Sequence, residues 1–310
     1  MKIEERYLPF GPLTTYVRIV GEDHGLAPLV LLHGGPGSSH NYFELLDPLA
    51  AATKRQLIMY DQVGCGQSSL VDDLPAVYTA QTWLEELANL RAQLHLAKIH
   101  LLGQSWGGML ALLHLLAPTT TGVQSVILSS TLASARRWGQ AVHGLVSQLP
   151  PAQQAAIAQA EASGDYTSPA YQEALTAFMA VHALEPVHAA MPAPLQRPKC
   201  GGQVAYQTAW GPNEFTPTGN LRDYDVTARL SQLNLPALVI NGDHDLCTDA
   251  VAQQLVTGLP QARWEKFSAA RHMVFYDQPA RYQACLVVLR QARERHGDKG
   301  SCGSGTSTAV

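Results

Sequence analysis

The stretch "GQSWGGML" at residues 103–110 constrains the fold of this chain more than any other. It places Ser105 in the pattern Gly-x-Ser-x-Gly, between the apolar run "KIHLLGQ" and the apolar run "SWGGMLALLHLLA". Where a strand turns sharply at a serine into a helix, glycines flank the serine because a side chain at those positions would collide with neighbouring backbone. The pattern therefore predicts a nucleophilic serine at a strand-to-helix turn.

Short apolar runs alternate with amphipathic helical patterns along most of the chain. This alternation predicts an α/β protein with a parallel sheet covered by helices on both faces. Seven runs are expected to form strands: "TTYVRIV", "PLVLLHGG", "QLIMYDQ", "KIHLLGQ", "QSVILSS", "PALVING" and "ARWEKFS". Two of the helical patterns are "TWLEELANLRAQLHL" and "DAVAQQLVTGLP".

The alternation stops after "VILSS" and resumes at "LPALVING". We interpret residues 133–226, which have helical periodicity, as a mainly helical cap inserted into a core of residues 1–132 and 227–296. Residues 297–310 are rich in Gly, Ser and Thr and are expected to form a disordered tail. Ligands of open α/β sheets bind beyond the carboxyl ends of the strands, so such a cap would cover a pocket at Ser105.

Composition and charge exclude several classes of protein. A formal net charge of -4 gives no reason to expect nucleic acid or an anionic membrane as a partner. The first ten residues lack the apolar centre of a secretory signal, and the longest apolar stretch is too short to span a bilayer. Five cysteines without a CxxC pair fit unpaired thiols in a reducing compartment. We expect a cytoplasmic protein, and the sequence leaves its oligomeric state open.

A serine hydroxyl is a good nucleophile only when a base removes its proton and an acid orients that base. In proteins with this turn, the acid and then the base follow the serine along the chain. After the predicted cap, Asp243 and Asp245 follow one predicted strand, and His272 lies in the loop after the next. We predict His272 as the base and Asp245 as the acid. Asp243 stays the alternative acid, although its simpler role is to cap the turn.

The run "LLHGGPGSSH" follows the first predicted buried strand and offers donors for an oxyanion hole. Its His-Gly-Gly-Pro sequence resembles the oxyanion loop of α/β-hydrolases, so we predict the backbone N–H groups of Gly35 and Trp106 as donors. A phosphate loop would need a Lys-Ser/Thr ending or the spacing Gly-x-Gly-x-x-Gly, and neither occurs here. His33 is interpreted as a structural hydrogen-bonding residue.

Five segments together resemble the prolyl aminopeptidases, also called proline iminopeptidases, and most of all the lactobacillary members. They are "LLHGGPGSSHNYF", "MYDQVGCGQSS", "GQSWGGMLAL", "WGPNEFTPTGN" and "GDHDLCT". The resemblance implies the α/β-hydrolase fold and release of N-terminal proline from short peptides by a serine acyl-enzyme route, without a metal or other cofactor. By position, it matches Ser105 to the nucleophile, Asp245 to the acid and His272 to the base.

The same resemblance matches Glu214, in "GPNEF", to a cap glutamate that binds the free α-amino group of the substrate. A proline ring also needs an apolar wall, and Trp210 and Phe215 lie close to Glu214 in the sequence.

Two positions depart from the family pattern. Val63 stands where many members have Arg, and Leu246 stands where some have a second amine-binding glutamate. Amine recognition would then depend on fewer charges or on another cap acid such as Glu185. The strictness of the proline preference stays open.

Two other functions are compatible with a serine at this turn. A broader-specificity amino-acid amidase or esterase of the same fold is one, because a triad alone does not choose amide over ester. A non-catalytic binding protein on a hydrolase scaffold is the other, but such proteins usually lose a triad member, and here all three are present. A dehalogenase or epoxide hydrolase would need a carboxylate in place of Ser105.

Overall fold

The computed structural model of the chain describes residues 1–287, so the predicted tail at residues 297–310 lies outside the described part. Within that part, one sheet has the strand order β1-β2-β4-β3-β5-β6-β7-β8. The strands are β1 (Ile3–Phe10), β2 (Leu13–Val20), β3 (Leu29–Leu32), β4 (Leu57–Tyr60), β5 (Ile99–Gln104), β6 (Val123–Ser129), β7 (Ala237–Gly242) and β8 (Ala262–Phe267). The pairs β1–β2 and β2–β4 are antiparallel and all the others are parallel, which confirms the prediction of a mostly parallel sheet.

Strand β1 was not among the seven predicted strands. It pairs with β2 over its whole length, from Ile3 opposite Val20 to Phe10 opposite Leu13. In β1 only Leu8 is buried, and the other residues are exposed or half-buried. A strand at the edge of a sheet that buries one side chain has little apolar pattern, so its sequence gave no strand signal.

The described helices lie between successive strands, except for the last one, which follows β8, and they cover both faces of the sheet. They are α1 (Pro48–Thr53), α2 (Ala80–Gln93), α3 (Trp106–Leu116), α4 (Ala135–Val146), α5 (Pro151–Ser163), α6 (Pro169–His182), α7 (Ala193–Gln196), α8 (Gln203–Ala209), α9 (Asp249–Gly258) and α10 (Val274–Asp277). Successive residues of a strand belong to different cores: Val30 is in the apolar core that includes residues of α2, α3 and α9, whereas Leu31 is in the one that includes residues of α1 and α10. This alternation is what a sheet buried on both faces requires.

Helices α4 to α8 all lie between β6 and β7, within residues 133–226, and the structure describes no strand there. A single antiparallel bridge joins Ser134 to Asp225, so the chain leaves the sheet and returns to it at nearly the same place. The division into a cap and a core stays a prediction. None of the helices in residues 1–287 is both long enough and apolar enough to cross a membrane.

Glu86 of α2 is a fully buried carboxyl group that has no ion-pair partner in the described part of the chain. It accepts hydrogen bonds from the Thr15 hydroxyl at 2.6 Å and from the Val63 N–H at 3.1 Å. Burial raises the pKa of Glu86 from 4.5 to about 8. An acid with a raised pKa in the folded state takes up a proton on folding, so its contribution to stability falls as the pH rises through this interval.

We therefore expect Glu86→Gln to gain stability relative to the wild type as the pH rises from about 5 to about 8, because the amide cannot ionise. Urea unfolding at several pH values, with both proteins measured side by side, gives the difference in free energy. Glu85→Gln is the matched control, since Glu85 is exposed on the same helix. A difference between Glu86→Gln and the wild type that does not change with pH would contradict the expectation.

Candidate active site

Ser105 occupies the turn between strand β5 and helix α3, as the Gly-x-Ser-x-Gly pattern predicted. Its backbone has φ 54° and ψ -123°, a conformation that L residues rarely adopt. A Cβ atom at Gly103 would overlap the carbonyl oxygen of Gly107, and one at Gly107 would overlap that of Leu32. Both glycines are therefore required for the helix to approach the strands closely enough to hold the serine in this turn.

His272 and Asp245 lie in the loops after β8 and β7, and their side chains are in contact. Nδ1 of His272 is 2.7 Å from Oδ1 of Asp245, and both residues are buried. The same carboxylate accepts the Cys247 N–H at 2.8 Å and the Gly242 N–H at 3.3 Å, so its position is fixed by backbone. Because Nδ1 of the imidazole donates to the carboxylate, Nε2 is the nitrogen left to accept a proton.

Asp243 has a different set of contacts. Its Oδ1 accepts the Ala270 N–H at 3.2 Å, and the side chain lies 3.8 Å from Nε2 of the exposed His244. The aspartate thus joins the two loops at the ends of β7 and β8. This is the turn-capping role considered for Asp243, and it is Asp245 that contacts His272.

Cys247 is fully buried two residues after Asp245, and its thiol donates to the carbonyl of Thr131 at 3.1 Å. Burial raises the pKa of this thiol well above its usual value of 9.0. A thiol that stays protonated is a poor nucleophile, so we expect Cys247 to be unreactive and to hold the loop of the acid to the segment after β6 through its bond to Thr131.

The loop after β3 lies against the serine turn. A Cβ atom at Gly34 would be 3.1 Å from Cβ of Ser105. Gly35 has φ 110°, which favours glycine. Among the hydrogen bonds of residues 1–287, neither the Gly35 N–H nor the Trp106 N–H is a donor. In the described residues, both predicted oxyanion donors are therefore free of other hydrogen bonds. Trp106 follows Ser105 in the sequence, and the loop that carries Gly35 lies against Ser105.

His33 has the structural role expected from the sequence. Its Nε2 accepts the backbone N–H of Gln62 at 3.0 Å, which leaves Nδ1 as the protonated nitrogen that donates to the carbonyl of Gly34 at 2.9 Å. Complete burial lowers the pKa of His33 to about 4, so the ring is neutral.

Glu214, the predicted amine ligand, is half-buried and lies in the segment between α8 and β7. One of its carboxylate oxygens, Oε1, accepts the hydroxyl of Tyr206 at 2.6 Å. Burial raises the pKa of Glu214, and the hydrogen bond from Tyr206 and the nearby His272 oppose the rise. Glu214 has no ion-pair partner in the part of the chain that is described.

Trp138 of α4, which sequence analysis missed, connects Glu214 to the predicted base. Its indole N–H is 3.4 Å from the Glu214 carbonyl oxygen, and its ring packs edge-on against His272 with centroids 5.8 Å apart. Trp210 packs edge-on against Trp138 at 6.4 Å. No motif contains Trp138, so only the helical periodicity of α4 marked it as a buried residue.

Phe215 and Glu185, which were also predicted to contact the substrate, already have partners within the protein. Phe215 is fully buried and packs against Phe178 at 5.0 Å, inside the helical segment, so its contact with a substrate stays a prediction. Glu185, the alternative amine ligand, is ion-paired with Arg271 and accepts the Tyr276 hydroxyl at 3.1 Å. Its charge is therefore already compensated.

Comparisons with known proteins show which family this chain is similar to. A family model described as the alpha/beta hydrolase fold matches residues 27–279, which confirms the predicted fold class. A proline iminopeptidase of Lactobacillus delbrueckii subsp. lactis is 57% identical over 287 residues, which cover 92% of this chain and 97% of that protein. One from Levilactobacillus brevis is 54% identical over 299 residues, covering 96% and 100%. The crystal structure of a Mycobacterium smegmatis proline iminopeptidase matches with a TM-score of 0.81 at 32% identity, covering 95% of this chain and 100% of that one.

Proposed function

This chain belongs to the proline iminopeptidases of the α/β-hydrolase family, and we propose that it releases N-terminal proline from short peptides through an acyl-enzyme on Ser105. The observation that supports this mechanism most is the 2.7 Å contact between His272 and Asp245. The pair follows the carboxyl ends of β7 and β8, and the serine turn follows the carboxyl end of β5 in the same sheet. A serine, a base and an oriented acid are the groups that acyl transfer needs.

In this proposal Ser105 Oγ attacks the carbonyl carbon of the N-terminal proline. Nε2 of His272 takes the hydroxyl proton and then donates it to the leaving amine, while Asp245 stabilises the imidazolium. The N–H groups of Gly35 and Trp106 bind the negative oxygen of the tetrahedral intermediate. Water then attacks the prolyl ester with the same base, and proline is released.

Selectivity for a free N-terminus is assigned to Glu214. Its Oε1 is held by Tyr206, and Oε2 has no hydrogen bond within residues 1–287. We propose that Oε2 pairs with the secondary ammonium of proline while Trp138 and Trp210 form the apolar wall around the ring. Leu246 is buried and uncharged, so a single carboxylate binds the amine, and other small apolar N-terminal residues are accepted more weakly.

An esterase of broad specificity is not favoured, because relatives at 54% and 57% identity over almost the whole chain are proline iminopeptidases. The proposed anchor also separates the two functions by experiment. An esterase acting on neutral acyl esters has no use for Glu214, whereas an aminopeptidase depends on it.

Glu214→Gln is expected to lose much of its kcat/KM on a prolyl arylamide. Leaving a buried ammonium without its anion costs about 2–5 kcal/mol, which corresponds to a roughly 30- to 4000-fold loss at about 1.4 kcal/mol per decade. Hydrolysis of a small neutral ester by the same variant should barely change. Steady-state kinetics on both substrates measure the two effects.

Glu173→Gln is the matched control, because Glu173 is an exposed acid on α6. It should behave as the wild type on both substrates. An equal effect of Glu214→Gln on arylamide and ester, or no effect on either, would refute the role of Glu214 and support the esterase alternative.

A further inference from the structure

Gln62, in the loop after β4, contacts Trp106, which carries one proposed oxyanion donor, and His33, which lies two residues before the other donor residue, Gly35. We propose that Gln62 is a positioning residue that holds the N–H groups of Gly35 and Trp106 at a fixed separation for the oxyanion. This inference rests on the proposed function, because it assumes that those two groups stabilise a tetrahedral intermediate.

On the side of the serine turn, Gln62 holds Trp106 through its side chain. Oε1 of Gln62 accepts the indole N–H of Trp106 at 2.7 Å. Both residues are 1% exposed, so no solvent replaces this bond. The ring of Trp106 also packs edge-on against Trp83 at 5.1 Å. The residue that carries one oxyanion donor is therefore fixed by its own side chain.

On the side of the loop after β3, Gln62 holds His33 at two points. Its side-chain Nε2 donates to the carbonyl of His33 at 3.0 Å, and its backbone N–H donates to Nε2 of the His33 ring at 3.0 Å. The second bond fixes the tautomer in which Nδ1 of His33 donates to the carbonyl of Gly34.

The bond to the Gly34 carbonyl determines where the Gly35 N–H points. The carbonyl and the N–H of a trans peptide point in opposite directions. With the Gly34 carbonyl held by His33, and also by the Ser38 N–H at 3.3 Å, the Gly35 N–H of the same peptide points away from His33. Gln62 thus acts on one donor through Trp106 and on the other through His33 and Gly34.

Both ends of the Gln62 amide are used, the oxygen by Trp106 and the nitrogen by His33. A buried amide in this position contributes to stability, but an apolar side chain of similar size could fill the same space. What an apolar side chain cannot do is connect the two halves of the oxyanion hole. Oxyanion stabilisation depends on donors being placed before the charge develops, so small displacements are expected to reduce kcat.

The test uses Gln62→Met, Trp106→Phe and the double variant. Removal of one oxyanion donor costs about 10²- to 10³-fold in kcat, and displacement should cost less, so we expect a loss of about 10- to 100-fold in kcat for Gln62→Met with KM little changed. Pyrrolidine-2-boronic acid, which forms a tetrahedral adduct on a serine, should lose affinity by the same factor as kcat/KM. L-Prolinol carries the ammonium and the ring but no carbonyl, so its affinity should not change.

The double variant should be about as slow as Gln62→Met alone if the two residues act through one contact. Gln67→Met is the matched control, because Gln67 is an exposed glutamine on the same loop that contacts Tyr7 at the edge of the sheet. It should keep wild-type kinetics.

A folded Gln62→Met variant with wild-type kcat and boronate affinity would overturn the inference, as would an equal loss of affinity for boronate and prolinol. If Gln62→Met does not fold, the same criteria are applied to Trp106→Phe, because that substitution also removes the hydrogen bond between the Trp106 indole and Gln62. Failure of the proposed function looks different: the wild type would not turn over a prolyl arylamide or bind the boronate.

Discussion

Replacing Ser105 by alanine is expected to abolish turnover and leave the fold unchanged. Loss of the nucleophile of a catalytic triad costs about 10⁶-fold in kcat in a well-studied serine protease. The turn itself does not need the hydroxyl: the Ser105 N–H donates to the Ser129 carbonyl, and the Ser105 carbonyl accepts from Gly108 and Met109. Alanine keeps all of these bonds and is strained to the same degree at φ 54°.

Steady-state hydrolysis of a prolyl arylamide, with circular dichroism to verify folding, measures this effect. Ser130→Ala is the matched control, because Ser130 is also buried, also has a positive φ of 51° and has no hydrogen-bond partner for its hydroxyl in the described part of the chain. It should keep near-normal activity. Substantial turnover by a homogeneous Ser105→Ala preparation would place the nucleophile elsewhere and end the serine-hydrolase interpretation.

The parts of the molecule that sequence analysis predicted well are those in which backbone geometry demands a residue type. The glycines around Ser105 are an example, since each lies where a Cβ atom would overlap a neighbouring carbonyl. The closeness of Asp245 and His272 is another, because a parallel sheet brings the ends of β7 and β8 together.

Residues whose role depends on a tertiary approach could not be predicted in this way. Trp138 contacts Glu214 from 76 positions away, and Tyr206 contacts it because the chain folds back on α8 after Trp210. No spacing in the sequence reports either contact. Closeness along the chain was also misleading in one respect: Glu214 and Phe215 are neighbours, yet Phe215 packs inside the helical segment. Gln62 lay within a recognised segment, but its contact with Trp106 spans 44 positions.

The second large effect concerns the acid. Asp245→Asn is expected to lower kcat by about 10⁴-fold, because the amide fixes the wrong imidazole tautomer and no longer stabilises the imidazolium. In the wild type, Oδ1 of Asp245 accepts both Nδ1–H of His272 and the Cys247 N–H. In the variant the amide oxygen can take the place of Oδ2, where it accepts the Gly242 N–H, and the amide nitrogen then takes the place of Oδ1 and donates to Nδ1. The proton of the ring moves to Nε2, which is the atom that must accept the proton of Ser105.

Asp243→Asn is the matched substitution, two residues away on the same loop. Its amide oxygen can still accept the Ala270 N–H, so the turn between the two loops keeps its bond and kcat should fall by no more than a few-fold. Measuring kcat for both variants on the same prolyl arylamide compares one chemical change at two positions. Because a general loosening of this loop would slow both variants alike, only a large loss confined to Asp245→Asn identifies the acid. A larger loss for Asp243→Asn would mean that the contact between Asp245 and His272 is not the catalytic one.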